Sequence, residues 1–245
     1  MSHSTNIPLT RRHFLKLAAI APLIAAPFKA IAMGFGDHPQ GIRDMKGGVF
    51  VNDQPATVGT LVRPGDTVRT GPPQSSVAFV IGGDAYLMRS DTRIRIDASN
   101  PAGEEPLADL IRIISGKVLM VFRSGERRIT TPTAIAGIRG TAVYLEATRT
   151  LTYLCTCYGS IELASPKAPE AAQRLTARHH EHPRFISADG AIASLITEAP
   201  MKNHSDEELI YLEKLVGRVP PFMRKRRTGG FQSGDGNGGG GGGGY

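Results

Sequence analysis

The chain has 245 residues, a length that accommodates one domain with appendages. Of these residues 40% are hydrophobic and 6% aromatic, which excludes a wholly disordered chain and a polytopic membrane protein. The net charge of +7 arises in two short terminal segments, because residues 33–223 carry 21 basic and 21 acidic side chains. A neutral body argues against nucleic acid as a partner.

The first predicted segment is an export signal at residues 1–32. Its matching residues are Thr10, Arg11, Arg12, His13, Phe14, Leu15 and Lys16. The apolar run that follows is about a dozen residues long and contains two prolines, so it is too short and interrupted for a spanning helix. The pattern is typical of a twin-arginine signal with a cleavage site at residues 30–32 and predicts a periplasmic or secreted protein. An uncleaved signal acting as a membrane anchor is the alternative.

After a linker at residues 33–44, residues 45–165 are predicted to form a β domain. Short apolar runs alternate with Gly, Pro, Asp and Asn, the residues of tight turns. The runs cover residues 49–51, 59–62, 68–70, 76–81, 85–88, 92–96, 110–114, 117–122, 128–131, 141–148, 150–158 and 160–163. About a dozen short strands predict a mainly β fold, a sandwich or β-roll, with glycines such as Gly116, Gly140 and Gly159 at the strand reversals.

An ordered series of short motifs in this region resembles the FecR-like domain. The matching positions include Gly65, Asp66, Thr70, Gly71, Thr131, Pro132, Arg139, Gly140, Thr141 and Gly159. No single motif is diagnostic, but the ordered series is a strong signal and covers about half of the chain. The resemblance implies an all-β periplasmic domain.

The resemblance also implies a role in signalling. FecR-like proteins restrain a sigma factor through a cytoplasmic segment, cross the membrane once and receive a signal from an outer-membrane iron-siderophore receptor. Only about ten residues precede the twin arginines here, too few to fold into a sigma-binding domain. We therefore expect an exported, non-enzymatic sensing or binding module of the bacterial envelope, linked to iron or envelope signalling. Its expected partner is an envelope protein or a cell-wall polymer.

A cluster of metal-ligating residues follows the FecR-like motifs. The candidate ligands are Cys155 and Cys157 on a strand, and His179, His180 and His182 in a β extension at residues 166–200. Alternate strand residues share a face, so both thiols point the same way. Two thiolates and two imidazoles suit a tetrahedral site for zinc or another transition metal.

Other interpretations of these residues stay open. The cysteines either form a local disulfide or redox pair, or are small buried side chains that only pack. The corresponding alternatives for the whole chain are a cell-wall or polysaccharide-binding protein and a Cys-based redox protein. The sequence contains no nucleophile elbow, paired carboxylates or phosphate-binding loop, which favours a non-enzymatic role.

The C-terminal part is predicted to contain one helix within residues 201–223. Ser205 and Glu208 form a capping-box pattern, apolar residues follow on one helical face, and Gly217 offers a stop. Residues 224–245 begin with four basic residues, and 11 of the last 17 are Gly, which predicts a disordered tail. Membrane contact is expected only through this tail or an uncleaved signal.

Overall fold

The computed structural model describes residues 38–98 and 109–223, which belong to one compact unit. The predicted export signal and basic tail lie outside the described residues. Within the described ranges, no helix is long and apolar enough to cross a membrane.

The described residues confirm the mainly β class with one short helix. The strands are β1 (Gly41–Lys46), β2 (Val49–Val51), β3 (Gln54–Pro55), β4 (Thr67–Thr70), β5 (Ser76–Ile81), β6 (Asp84–Met88), β7 (Arg93–Asp97), β8 (Leu110–Val121), β9 (Glu126–Thr130), β10 (Ile135–Ala147), β11 (Leu151–Ser165), β12 (Ala168–Ala177), β13 (Arg184–Ser187) and β14 (Ile196–Glu198). The helix α1 spans Asp206–Leu215, and short 3-10 turns lie at Ile192–Ser194 and Pro221–Met223.

The three longest strands, β8, β10 and β11, each change partners along their length. The first half of β8 pairs with β7 and the second half with β6, while β10 pairs first with β9 and then with β8. Strand β11 likewise pairs with β13 near its start and with β12 near its end. Because these strands bend between their two sets of partners, the sheet folds over one buried core that collects side chains from both halves.

The bends lie at glycines for which we predicted strand reversals, and that prediction is wrong. Gly116, Gly140 and Gly159 have φ angles of +100°, +54° and +94° inside β8, β10 and β11. Such angles are inexpensive for glycine, and the register between β10 and β11 shifts next to Gly140, as in a β-bulge. The predicted pairs of strands around Gly116 and Gly159 therefore merge into single bent strands.

Two other boundaries also differ from the prediction. Residues 59–62 form a turn and loop, because the Gly59 N–H donates to the Ile42 carbonyl and the Ile42 N–H to the Thr60 carbonyl instead of entering a ladder. Strand β1 begins within the predicted linker at residues 33–44 and pairs with β5. Residues 41–44, which were interpreted as connecting chain, are thus part of the sheet.

Residues of the predicted motif series stabilise turns and bulges. The Asp66 carboxylate accepts the Arg63 N–H at 2.7 Å in the turn at Gly65, and the Gly71 N–H donates to the Gly48 carbonyl at 2.7 Å. The Thr141 hydroxyl accepts the N–H of Ser160 at 3.1 Å across the bulge at Gly140.

The hydroxyls of two further threonines of the motif series also accept hydrogen bonds from backbone N–H groups. The Thr70 hydroxyl accepts the Thr92 N–H at 3.0 Å, and the Thr131 hydroxyl accepts the Ala134 N–H at 2.8 Å in the turn that contains Pro132. Arg139 is exposed and forms an ion pair with Glu126.

A second buried layer lies on the outer face of β8, β10 and β11. Alternate residues along these strands face this layer, where they meet Leu209, Leu212 and Val216 of the helical segment. The helix begins at the predicted capping box and ends in a Schellman motif, in which the Arg218 N–H donates to the Glu213 carbonyl at 2.8 Å. The buried Glu213 carboxylate also accepts hydrogen bonds from Tyr158 and Arg218, which fixes α1 against the sheet.

Candidate metal centre

Strand β11 places both cysteines beneath the helix. Cys155 and Cys157 are 0% exposed, carry free thiols and lie in the second buried layer, not in the main core. They share this face because residues i and i+2 of a strand point the same way, as the sequence predicts. The two sulfur atoms therefore lie between the sheet and the segment that leads into α1.

His180 reaches the cysteines from the turn between β12 and β13. Its backbone N–H donates to the Cys157 carbonyl at 2.8 Å, and its Nδ1 lies 4.0 Å from the Cys155 sulfur. The residue has a φ of 56°, in the left-handed region that non-glycine residues seldom adopt. The backbone bond to Cys157 holds this conformation and directs the ring toward the thiols.

The fourth member of the cluster is His204, which sequence analysis missed. It is 8% exposed, its Nε2 lies 3.0 Å from Nδ1 of His180, and its ring stacks on Tyr144 with centroids 4.5 Å apart. His204 directly precedes Ser205, the N-cap of α1. The capping-box pattern was the available signal, since a docked helix brings the residue before its N-cap to the sheet.

The segment that carries His204 is fastened to the sheet by charged side chains. Lys202 Nζ lies 2.9 Å from the Glu146 carboxylate, and Arg89 contacts the Glu208 carboxylate at 2.9 Å. Arg89 also donates to the Asn203 carbonyl at 2.5 Å. These contacts on both sides of His204 limit the freedom of its ring.

The other two predicted histidines lie elsewhere. Nε2 of His179 lies 2.8 Å from the Asp206 carboxylate, in a second and more exposed group that also includes His180. His182 is exposed and belongs to neither of the two groups of metal-ligating residues found among the described residues. The predicted ligand set was therefore wrong at His179 and His182, and the cysteine cluster includes His204 instead.

The separations within the cluster are close to those of a tetrahedral metal site. The two sulfur and two nitrogen atoms all lie within 4.8 Å of one another. A zinc ion with ordinary ligand distances needs separations of roughly 3.3 Å between two nitrogens and roughly 3.6 Å between a nitrogen and a sulfur. The observed 3.0 Å between the imidazoles and 4.0 Å between Cys155 and His180 approach these values.

Hydrogen bonds on the far side of each imidazole fix where its lone pair points. Nδ1 of His204 lies 2.8 Å from the Lys202 carbonyl, which only accepts, so this nitrogen carries the hydrogen. Nε2 of His180 lies 2.9 Å from the Asp206 carboxylate and donates to it. In the neutral rings, Nδ1 of His180 and Nε2 of His204 then present lone pairs to each other at 3.0 Å. That arrangement requires a cation between or beside them, either a proton or a metal ion.

The charges in the cluster also favour a cation. The hydrogen bond with Cys157, together with those of His180 and His204, lowers the pKa of Cys155 to about 4 despite burial, so this thiol is ionised at neutral pH. Burial raises the pKa of Cys157, and the neighbouring Cys155 thiolate raises it further. Burial opposes protonation of His180, yet Cys155 and Asp206 raise its pKa. The cluster thus combines one thiolate with groups that a metal ion would deprotonate.

The comparisons with known proteins do not show which family the chain belongs to. No family model and no curated protein sequence matches the chain, so the FecR-like resemblance stays a prediction from the motif series. The structure is similar to crystal structures, at 1.65 and 2.50 Å resolution, of a protein from Parabacteroides distasonis proposed to be an anti-sigma factor. In each comparison the identity is 12%, the TM-score is 0.44, and the match covers 60% of this chain and 64% of the other. The chain thus matches less than two thirds of that protein's length.

Proposed function

We propose that this chain is a metal-binding module in which Cys155, Cys157, His180 and His204 hold one zinc or similar thiophilic ion. The observation that carries the proposal is the convergence of two thiols and two imidazole lone pairs on one buried point. Both rings are oriented by hydrogen bonds from their opposite nitrogens, as histidine ligands of zinc commonly are.

A four-ligand site favours a structural or sensing role over catalysis. Two cysteines and two histidines complete a tetrahedral shell, whereas catalytic zinc sites keep one position for water or substrate. The cluster is also almost closed, since the His180 side chain is 6% exposed and the other three residues are buried. We therefore propose that the module is non-enzymatic.

We place this module in the bacterial envelope, as an exported sensing or binding protein. The twin-arginine pattern at residues 10–16 and the FecR-like motif series support that placement. Twin-arginine export moves folded proteins, so the thiols would receive their metal before meeting an oxidant. The proposed partner is an envelope protein or cell-wall polymer, and the link to iron or envelope signalling rests on the resemblance alone.

Metal content is the direct test. We expect full-length protein purified after export to contain about one zinc per chain, and Co²⁺ replacing it to show thiolate-to-metal charge-transfer absorption. The Cys155→Ser and His204→Ala variants should lose both signals. His182→Asn is the matched control and should keep them, because His182 lies outside the cluster. Metal-free protein with two titratable thiols would contradict the proposal.

One observation favours the redox interpretation, namely that two free, buried thiols lie two residues apart on the same strand face. Against it, alternate Cα atoms on a strand are about 6.5 Å apart, near the upper limit for a disulfide. Exported protein with neither metal nor titratable thiols would favour this second function.

A further inference from the structure

Gly137 is a glycine that the fold does not require. It lies inside β10 between the buried residues Ala136 and Ile138, with its own face exposed. Its φ is outside the left-handed range, and an added Cβ would meet only the Glu162 carbonyl oxygen, at 4.0 Å. Glycine within a strand costs backbone entropy and contributes no packing, so it commonly marks a place where something else approaches the sheet.

The space above Gly137 is a groove of about 640 Å³ on the outer face of β9 to β12. This volume is within the range of small-molecule sites. Its charged and hydroxyl-bearing lining includes Arg128, Arg139, Arg174, Glu126, Glu162 and Ser160. The groove shares no residue with the metal cluster, which lies beyond the bend at Gly159.

The register of the strands sets the order of charges across the groove. Arg128 is paired with Gly137, Gly137 with Glu162, and Glu162 with Arg174. With neighbouring strands about 4.8 Å apart, the missing side chain at Gly137 leaves a gap of roughly 10 Å between the backbones that carry Arg128 and Glu162. That gap has room for one sugar ring lying on the sheet.

Two guanidinium groups of the groove, those of Arg128 and Arg174, are available to an anion. Arg128 is exposed, and its guanidinium has no hydrogen-bond or ion-pair partner within the part of the chain that the structure describes. Arg174 is 3.9 Å from the Glu162 carboxylate, with both side chains more than half exposed. Exposed pairs of this kind contribute little and exchange readily for a ligand carboxylate, which a guanidinium binds through two parallel hydrogen bonds.

We propose that this groove binds an acidic saccharide. The sugar ring would lie over Gly137, its carboxylate would pair with Arg128, and its hydroxyls would donate to Glu162 and Ser160. Carboxylates interleaved with arginines suit a ligand that carries both a negative group and hydroxyl donors, and disfavour a simple polyanion. The described lining contains no aromatic side chain, so recognition rests on charge and hydrogen bonds and weakens with salt.

The test titrates full-length protein with a short galacturonate oligomer, followed by calorimetry or NMR. The matched ligand control is the methyl-esterified oligomer, which keeps the hydroxyls and loses the charge. We expect the acid to bind at least about tenfold more tightly than the ester, a difference of about 1.4 kcal/mol. Equal binding of acid and ester, or no binding of the acid, would overturn the proposal.

Two variants locate the binding. Gly137→Val should keep the protein folded, since the Cβ has room and a β-branched residue suits a strand, and should reduce binding at least about tenfold by filling the gap. Arg128→Gln should cause a similar loss, while Arg149→Gln, an exposed arginine in the β10–β11 turn, should bind as the parent does. Unchanged binding by folded Gly137→Val or by Arg128→Gln refutes the site. A final titration uses inorganic phosphate. If phosphate binds at the groove and the galacturonate oligomer does not, the ligand is a phosphate and the acidic-saccharide proposal is wrong.

Discussion

Zinc should stabilise this protein against heat, because the four proposed ligands come from three separate segments. Cys155 and Cys157 lie on β11, His180 in the turn after β12, and His204 just before α1. The unfolded chain does not bring these segments together, so the ion binds the folded state preferentially. Mass action then raises the free energy of unfolding by RT ln(1 + [Zn²⁺]/Kd), about 2.7 kcal/mol at a hundredfold excess over Kd.

This free energy corresponds to a measurable change in Tm. For a domain of this size, 1 kcal/mol moves Tm by roughly 2–4 °C, so saturating zinc should raise Tm by about 5–10 °C over chelator-treated protein. Differential scanning calorimetry with zinc and with a chelator measures the difference.

Matched variants show whether the stabilisation arises at the cluster. Cys155→Ser removes one ligand with little change of volume, and its zinc-dependent rise should fall below about 1 °C. His182→Asn should retain the full rise, because Asn tolerates the left-handed φ of 58° at this exposed position. An equal rise in parent and Cys155→Ser, or none in the parent, would show that zinc does not bind as argued.

Three further predictions concern the fold and are checked by urea unfolding. Gly116→Ala should lower the free energy of unfolding by at least about 3 kcal/mol, because the new Cβ would lie 2.4 Å from the backbone of Thr92. Gly65→Ala is the control, since Gly65 has the same φ of +100° but nothing within 4 Å, and it should lower the free energy of unfolding by about 1–2 kcal/mol. Equal losses in the two variants would contradict the steric argument. Arg127→Met should lower the free energy of unfolding by about 3–5 kcal/mol, because it leaves the buried Asp84 carboxylate without the guanidinium that lies 2.8 Å from it. Removal of the exposed Arg139 should change the free energy of unfolding by under about 0.5 kcal/mol. Leu212→Ala should cost about 2–5 kcal/mol by opening a cavity under α1, and a loss below 1 kcal/mol would mean that the helix is not firmly docked.

The β class and the helix were predictable because their signals are local. Alternating apolar residues and turn chemistry mark strands within a few residues, and the Ser205–Glu208 capping box marks the helix start. The bends at Gly116 and Gly159 were mistaken for reversals because glycine serves both a turn and a bulge. The contact that decides between them is distant in sequence, as for Gly116, which packs against Thr92, the residue just before β7.

For the candidate metal site too, some ligands were predictable from the sequence and one was not. The common face of Cys155 and Cys157 follows from strand periodicity, and the histidine-rich turn made His180 a candidate. His204 is 24 residues from His180, and only the docking of α1 brings its ring to the thiols. His182 was included because it is near His180 in sequence, but its side chain is exposed on the turn.

The sequence by itself therefore determined the β architecture, the capped helix and the pair of thiols on one strand face, since each depends on backbone periodicity or capping over a few residues. Only the tertiary structure decided which histidines join those thiols and which glycines bend strands. It also showed that Gly137 lies on the floor of a charged groove. These features depend on long-range pairing and packing, where residues far apart in the chain share one small volume.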